Sequence, residues 1–170
     1  MFKRLSLFLG IFLSMFSFSK GSPLNVGDSA PTLSGTTETG DVLSLGDVYK
    51  QGYTLVYFYP KADTPGCTAQ GCSLRDSYEV LTQKGVRVIG VSTDDVASQK
   101  AFKEKYHLPF TLLADSDEKI MHAFGQAATK HASRQAYLID KNGKVVWLDL
   151  HAKTKEQADD VLAALKKLEA

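Results

Sequence analysis

The residue types best suited to chemistry lie in one stretch, residues 57–76 (YFYPKADTPGCTAQGCSLRD), which holds both cysteines of the chain. Cys67 follows Pro65 and Gly66 at the expected start of a helix. The free N–H groups and the positive dipole end at such a place favour a thiolate. A thiolate, unlike a thiol, is a competent nucleophile toward a peroxide oxygen. Gly66 leaves room for a substrate to approach the backbone. Thr64, three residues before Cys67, puts a hydroxyl within reach of the sulfur or of a bound peroxide, and Pro60 ends the preceding strand where it can shield a pocket. Taken alone, Cys67 would be read as a buried, inert small hydrophobe, the commoner fate of a lone cysteine.

Cys72 changes that reading, because the spacing is Cys-x-x-x-x-Cys within one expected helix. Residues five apart on an intact α-helix are turned by about 140° and have Cα atoms about 8.5 Å apart, beyond the limit of about 7 Å for a disulfide. Either the helix is absent or it unwinds when the bond forms. A structural disulfide is rarely placed so; one made and broken in each turnover can use the unwinding. The corresponding chemistry is attack of the Cys67 thiolate on a peroxide, a sulfenic acid, condensation with Cys72, and reduction of the pair by an external dithiol.

The elements that must position these residues can be read from periodicity. Residues 55–59 (LVYFY) form a short apolar run expected to be a buried strand, and Tyr53, Tyr57 and Tyr59 alternate along it so that one face packs in the core. After the turn-rich PKADTPG, residues 68–84 read as one helix, with Leu74, Tyr78 and Leu81 at spacings of four and three. Residues 87–92 are the next strand. Residues 95–106 are a helix with Asp94 as its expected N-cap. Residues 111–113 are a short strand and 117–124 a short helix. Residues 135–140 and 144–150 flank Asn142-Gly143, the strongest short hairpin signal. Residues 155–168 close the chain as an amphipathic helix. Ahead of the first buried strand, GTTETGDVLSL reads as a small hairpin turning at Thr39-Gly40. Alternating strands and helices followed by an antiparallel pair and a last helix give an α/β layout: a thioredoxin-like fold, with a mixed central sheet flanked by helices and extra N-terminal strands. In that layout the active site lies where the first core strand hands over to its helix, which is where Cys67 falls.

The segment PKADTPGCTAQGC resembles the peroxiredoxin active-site motif Pro-x-x-x-Thr-x-x-Cys. The second cysteine five residues on resembles the bacterioferritin-comigratory, or peroxiredoxin Q, branch. The likeness in order of elements extends over roughly the whole chain after residue 21. It implies a thiol peroxidase acting on hydrogen peroxide and organic hydroperoxides, with Cys67 as peroxidatic and Cys72 as resolving residue. An intramolecular Cys67–Cys72 disulfide would be recycled by a thioredoxin-like dithiol, with no cofactor and no metal. Pro60 and Thr64 match the family's pocket residues. Arg134, just before QAYLID, matches an arginine that would stabilise the thiolate and polarise the peroxide; a surface salt bridge is the alternative role. Gln70 matches a polar position of this branch that orients the site, with a solvated helix residue as its alternative. A resolving cysteine in the same helix means that catalysis needs no second chain, so a monomer is expected.

Two other classes compete. A secreted copper-binding module of thioredoxin-like type would use Cys-x-x-x-Cys and a histidine, and this chain has one residue too many. A general dithiol–disulfide exchange module would carry Cys-x-x-Cys, which is absent. His107, His122, His131 and His151 have no metal-ligand spacing with one another or with the cysteines.

Composition sets outer bounds. The 170 residues fit one domain, and 44% hydrophobic with 23% charged residues is ordinary for a packed globule. A formal charge of +1, without any block of like charge, excludes a nucleic-acid partner as the default. The first segment differs from the rest: Lys3 and Arg4, then an uncharged run of about 14 residues (LSLFLGIFLSMFSF), then SKGS. That order is a signal peptide's, and the run is short for a span of about 20 residues. Residues 1–21 are therefore expected to be a signal peptide, cut after Ser19 or Gly21, or else an uncleaved anchor that is the chain's one link to a membrane. Residues 22–170 are the folded domain, expected in the periplasm or secreted. Cutting after Ser19 leaves 18 basic and 19 acidic side chains.

Overall fold

The computed structural model describes residues 22–127 and 130–169, so the expected leader at residues 1–21 lies outside the described residues. Seven strands form one sheet: β1 (Ser34–Thr37), β2 (Val42–Ser44), β3 (Tyr53–Phe58), β4 (Val86–Ser92), β5 (Thr111–Ala114), β6 (Ala136–Ile139) and β7 (Val145–Asp149). Their spatial order is β2-β1-β5-β4-β3-β6-β7. β3, β4 and β5 are parallel, and the remaining pairings are antiparallel. The sheet is mixed, as expected, and β1 and β2 are the extra N-terminal strands of a thioredoxin-like core.

The helices are α1 (Leu45–Tyr49), α2 (Pro65–Asp76), α3 (Tyr78–Gln83), α4 (Val96–Tyr106), α5 (Lys119–Ala123) and α6 (Gln157–Leu168). Alternation along β3 splits the core in two. Leu55, Tyr57 and Tyr59 face Cys67 and Leu74 of α2, Phe102 of α4, and Val161 and Leu165 of α6. Val56 and Phe58 face Leu45 and Tyr49 of α1 and Ile120, Met121 and Phe124 around α5. A strand buried on both faces needs this continuous apolar run. The aromatic stripe is realised: Tyr57 stacks on Tyr59 at 5.5 Å and meets Phe110 edge-on at 5.9 Å.

Two expectations need correction, and one element is absent from them. The helix expected over residues 68–84 begins three residues earlier, at Pro65, and breaks at Ser77 into α2 and α3. Proline at the first helical position costs no hydrogen bond, so the turn signal and the helix start coincide. The N-cap of α4 is Asp95, whose side chain accepts from Ser98 N at 2.8 Å, not Asp94. Asp94 instead takes the Ala62 N–H and the Ser92 hydroxyl, each at 2.7 Å, pinning the loop before α2. Finally, α1 carries no long apolar period and is missed by periodicity. Its signal is a cap, Ser44 Oγ accepting from Asp47 N at 3.3 Å.

Candidate active site

β3 ends at Phe58 and the chain turns through residues 59–64 before α2 begins. Two anchors hold this turn. One is the Asp94–Ala62 contact. The other is Asp63, at φ 57, whose carboxylate takes Lys105 Nζ at 2.7 Å and the Tyr106 hydroxyl at 2.6 Å. Those two donors, Lys105 first, hold the Asp63 carboxyl below its ordinary value. The left-handed backbone at Asp63 suits a short polar side chain that hydrogen-bonds locally.

Cys67 is the third residue of α2 and is 1% exposed. Both cysteines carry free thiols. Thr64 is the N-cap residue, but its hydroxyl donates to Lys61 O at 2.9 Å and makes no side-chain cap. That bond fixes the hydroxyl and leaves its lone pairs for another donor. Pro60, two residues after β3, is half-buried. Cys72, one and a half turns further on, is half-buried in the same unbroken helix. Tyr57 shares a core cluster with Cys67. Burial pushes its hydroxyl well above the ordinary phenol value, and Tyr59, Cys67 and Cys72 add to the rise, so this phenol stays neutral.

Arg134 reaches the sulfur through strand pairing. β6 runs antiparallel to β3, with Ala136 opposite Tyr57 and Phe58 N donating to Gln135 O at 2.7 Å. Arg134, two residues before β6, is thus delivered to the end of β3, where the chain turns toward α2. Arg134 Nη2 lies 3.5 Å from Cys67 Sγ, and Nη1 donates to Gln70 Oε1 at 2.5 Å. The fork geometry of a guanidinium permits both contacts at once. This placement turns the guanidinium toward Cys67 and Gln70. It also excludes the solvated role for Gln70, which is 0% exposed.

Gly66 has a different use from the one expected. A Cβ there would stand 3.1 Å from Arg134 Nη2 and 3.5 Å from Thr154 Cγ2, so the space it leaves is filled by the guanidinium. Residues 152–156, between β7 and α6, and the first turn of α6 wrap the same side: Ala152 N donates to Arg134 O at 3.3 Å. Gln157 Oε1 accepts from Gln70 Nε2 at 2.8 Å, and Ala158 N donates to Ser73 Oγ at 3.2 Å. Sequence reasoning missed this wrap, since Gln157 opens a helix with no motif around it.

A guanidinium beside the sulfur disfavours a bound cation there, which counts against the copper-binding alternative. Among the described residues, no three His, Cys, Asp or Glu side chains stand together as a metal site would require.

The AhpC/TSA family model matches residues 26–148. Peroxiredoxin Bcp of Escherichia coli strain K12 is 41% identical over 154 residues, covering 86% of this chain and 98% of that protein. A chloroplastic peroxiredoxin Q of Oryza sativa subsp. japonica is 45% identical over 125 residues, or 72% of this chain, which spans only 57% of the rice protein. A crystal structure of a PrxQ mutant from Xylella fastidiosa superposes with a TM-score of 0.80 at 28% identity, covering 88% of this chain and all of that one. With a sulfur at a helix start under an arginine fork, and with these relatives, the chain belongs to the AhpC/TSA family, in its peroxiredoxin Q/Bcp branch.

Proposed function

We propose that the protein is a thiol peroxidase that reduces hydrogen peroxide and organic hydroperoxides through Cys67 and Cys72. The observation that carries this reading is the Arg134 Nη2–Cys67 Sγ contact of 3.5 Å at the first turn of α2. The guanidinium beside the sulfur stabilises negative charge that develops there and on the peroxide oxygen during attack. The Cys67 thiolate attacks the terminal peroxide oxygen, and the O–O bond breaks. The leaving alkoxide takes a proton and departs as an alcohol, or as water from hydrogen peroxide. Cys67 is left as a sulfenic acid. Arg134 faces both the sulfur and the oxygen that gains charge. Thr64 and Pro60 border the entrance, with the Thr64 lone pairs free to accept from the peroxide O–H.

Cys72 then attacks the Cys67 sulfur, the S–OH bond breaks, water leaves and the S–S bond forms. The cysteines are i and i+5 in one helix, so α2 opens between them for the bond to close. A thioredoxin-like dithiol takes the disulfide by exchange and resets the helix. Both sulfurs belong to one chain, so a monomer suffices.

Residues 1–21 act as a signal peptide that sends the protein to the periplasm or outside the cell, supported by their charge, apolar and small-residue order. Mass analysis of the protein recovered from the exported fraction tests this; a chain starting at residue 1 there contradicts cleavage.

The catalytic assignment is tested with two variants. Cys67→Ser abolishes peroxide consumption. Cys72→Ser still forms one sulfenic acid per chain and then stalls with dithiol reductants. Normal turnover by Cys67→Ser overturns the assignment.

A further inference from the structure

Gln70 can accept from Arg134 only when its amide is turned one way. Its Oε1 must face Nη1, which puts its Nε2 on the other side, inside the protein. The opposite turn would set an NH2 group against a guanidinium, donor against donor. Something must therefore select the productive orientation of a side chain that is 0% exposed.

Gln157 meets that need. It is the first residue of α6, it is also 0% exposed, and its Oε1 accepts from Gln70 Nε2 at 2.8 Å. Its own Nε2 is buried and has no hydrogen-bond partner among the described residues. A buried amide with an unpaired N–H2 is costly, and an apolar side chain of the same length would fill the position without that penalty. The carbonyl is the half of Gln157 that has a partner, and that partner is Gln70. The backbone next to it is fixed as well, because Ala158 N donates to Ser73 Oγ. The first turn of α6 thus grips α2 at residues on either side of Cys72.

We infer that Gln157 is a positioning residue for the active site, holding Gln70 in the one amide orientation that aims Arg134 at Cys67. The relay runs Gln157 Oε1, Gln70, Arg134, Cys67 Sγ, over contacts of 2.8, 2.5 and 3.5 Å. The inference rests on the peroxidase reading for its consequence in catalysis, but the relay itself can be read without peroxide.

The test uses the reduced full chain carrying Cys72→Ser, so that a single sulfur reports. Two second-order rate constants are measured for Cys67 by intact mass: oxidation by hydrogen peroxide and alkylation by iodoacetamide. Gln157→Met, which keeps length but removes the acceptor, lowers both by about fivefold, the effect of one buried hydrogen bond. Gln157→Glu keeps an acceptor for Gln70 and recovers most of the loss. In a Gln70→Leu background Gln157→Met has no further effect, because the relay is already cut. The inference is overturned if folded Gln157→Met keeps both rate constants within twofold of the parent. It is also overturned if Gln157→Met lowers them equally with and without Gln70, or if Gln157→Glu falls as far as Gln157→Met. Should Gln157→Met not fold, Gln157→Leu, which also lacks the acceptor, takes its place with the same expected and overturning results. If the parent is inert to peroxide, the peroxidase reading fails while the alkylation series still judges the relay.

Discussion

Replacing Arg134 by Met removes one charge and both forks while keeping most of the side-chain volume. At the observed 3.5 Å, the attraction between guanidinium and thiolate is about 5 kcal/mol at an effective dielectric of about 20, and about 1 kcal/mol in bulk water. Arg134 is half-buried, so its surroundings lie between these limits. A loss of about 2–3 kcal/mol corresponds to a fall of about 30- to 150-fold in the rate constant for sulfur oxidation. Arg134→Lys keeps the charge but cannot reach Sγ and Gln70 Oε1 together, and lands between wild type and Met. Stopped-flow mixing of the reduced protein with hydrogen peroxide, read as loss of free Cys67 thiol, measures the constant. Thermal unfolding alongside it verifies the fold. An Arg134→Met protein that is folded and reacts within threefold of wild type would refute the electrostatic argument.

Gly66→Ala sets a methyl 3.1 Å from Arg134 Nη2 and displaces a flexible group, so it lowers peroxide turnover clearly while the melting temperature changes little. Asp63→Asn keeps a side chain that tolerates the left-handed backbone but loses the pairing with Lys105. The Asp63 carboxyl is held below its ordinary value, so its contribution to stability is complete above about pH 4 and is lost as pH falls through the lower folded value. The melting-temperature deficit of Asp63→Asn is therefore present at neutral pH and shrinks in acid. Trp147, the one tryptophan, borders the same cleft as Asp160, Ala163 and Ala164 of α6. Opening α2 breaks the Gln70–Gln157 and Ser73–Ala158 contacts, so Trp147 fluorescence changes in the disulfide-forming phase after peroxide is added. That phase vanishes in Cys72→Ser; its persistence there would contradict the link between α2 opening and α6.

The sequence made the elements that carry long apolar runs or strict periods legible. β3, β4, α4 and α6 stand within a few residues of their expected bounds, because burial on one stripe or two faces dictates their composition. The Asn142-Gly143 turn is also where expected, with Gly143 at φ 73. What escaped notice depends on single contacts. Ser77 ends α2 and starts α3 at φ −105 and ψ 9, a backbone change that apolar spacing does not register. Asp94 and Asp95 are chemically alike, and only tertiary contact to Ala62 N decides which of them caps α4. Cys67, Cys72, Thr64 and Pro60 share one segment, so the sequence alone sets them side by side. Arg134 came from the family likeness, since its distance in sequence from Cys67 hides a contact made by β3–β6 pairing. Gln157 could not be found at all: nothing marks an amide 87 positions from Gln70 as its partner until α6 is docked.

The central claim is that the Cys67 sulfur reacts with peroxide and then bonds to its neighbour in the same helix. Rapid mixing of the fully reduced chain with one equivalent of hydrogen peroxide, followed by intact mass and thiol counting, tests it. The account predicts a loss of about two mass units, no free thiol and a single Cys67–Cys72 linkage. An unchanged mass with both thiols still free would contradict it.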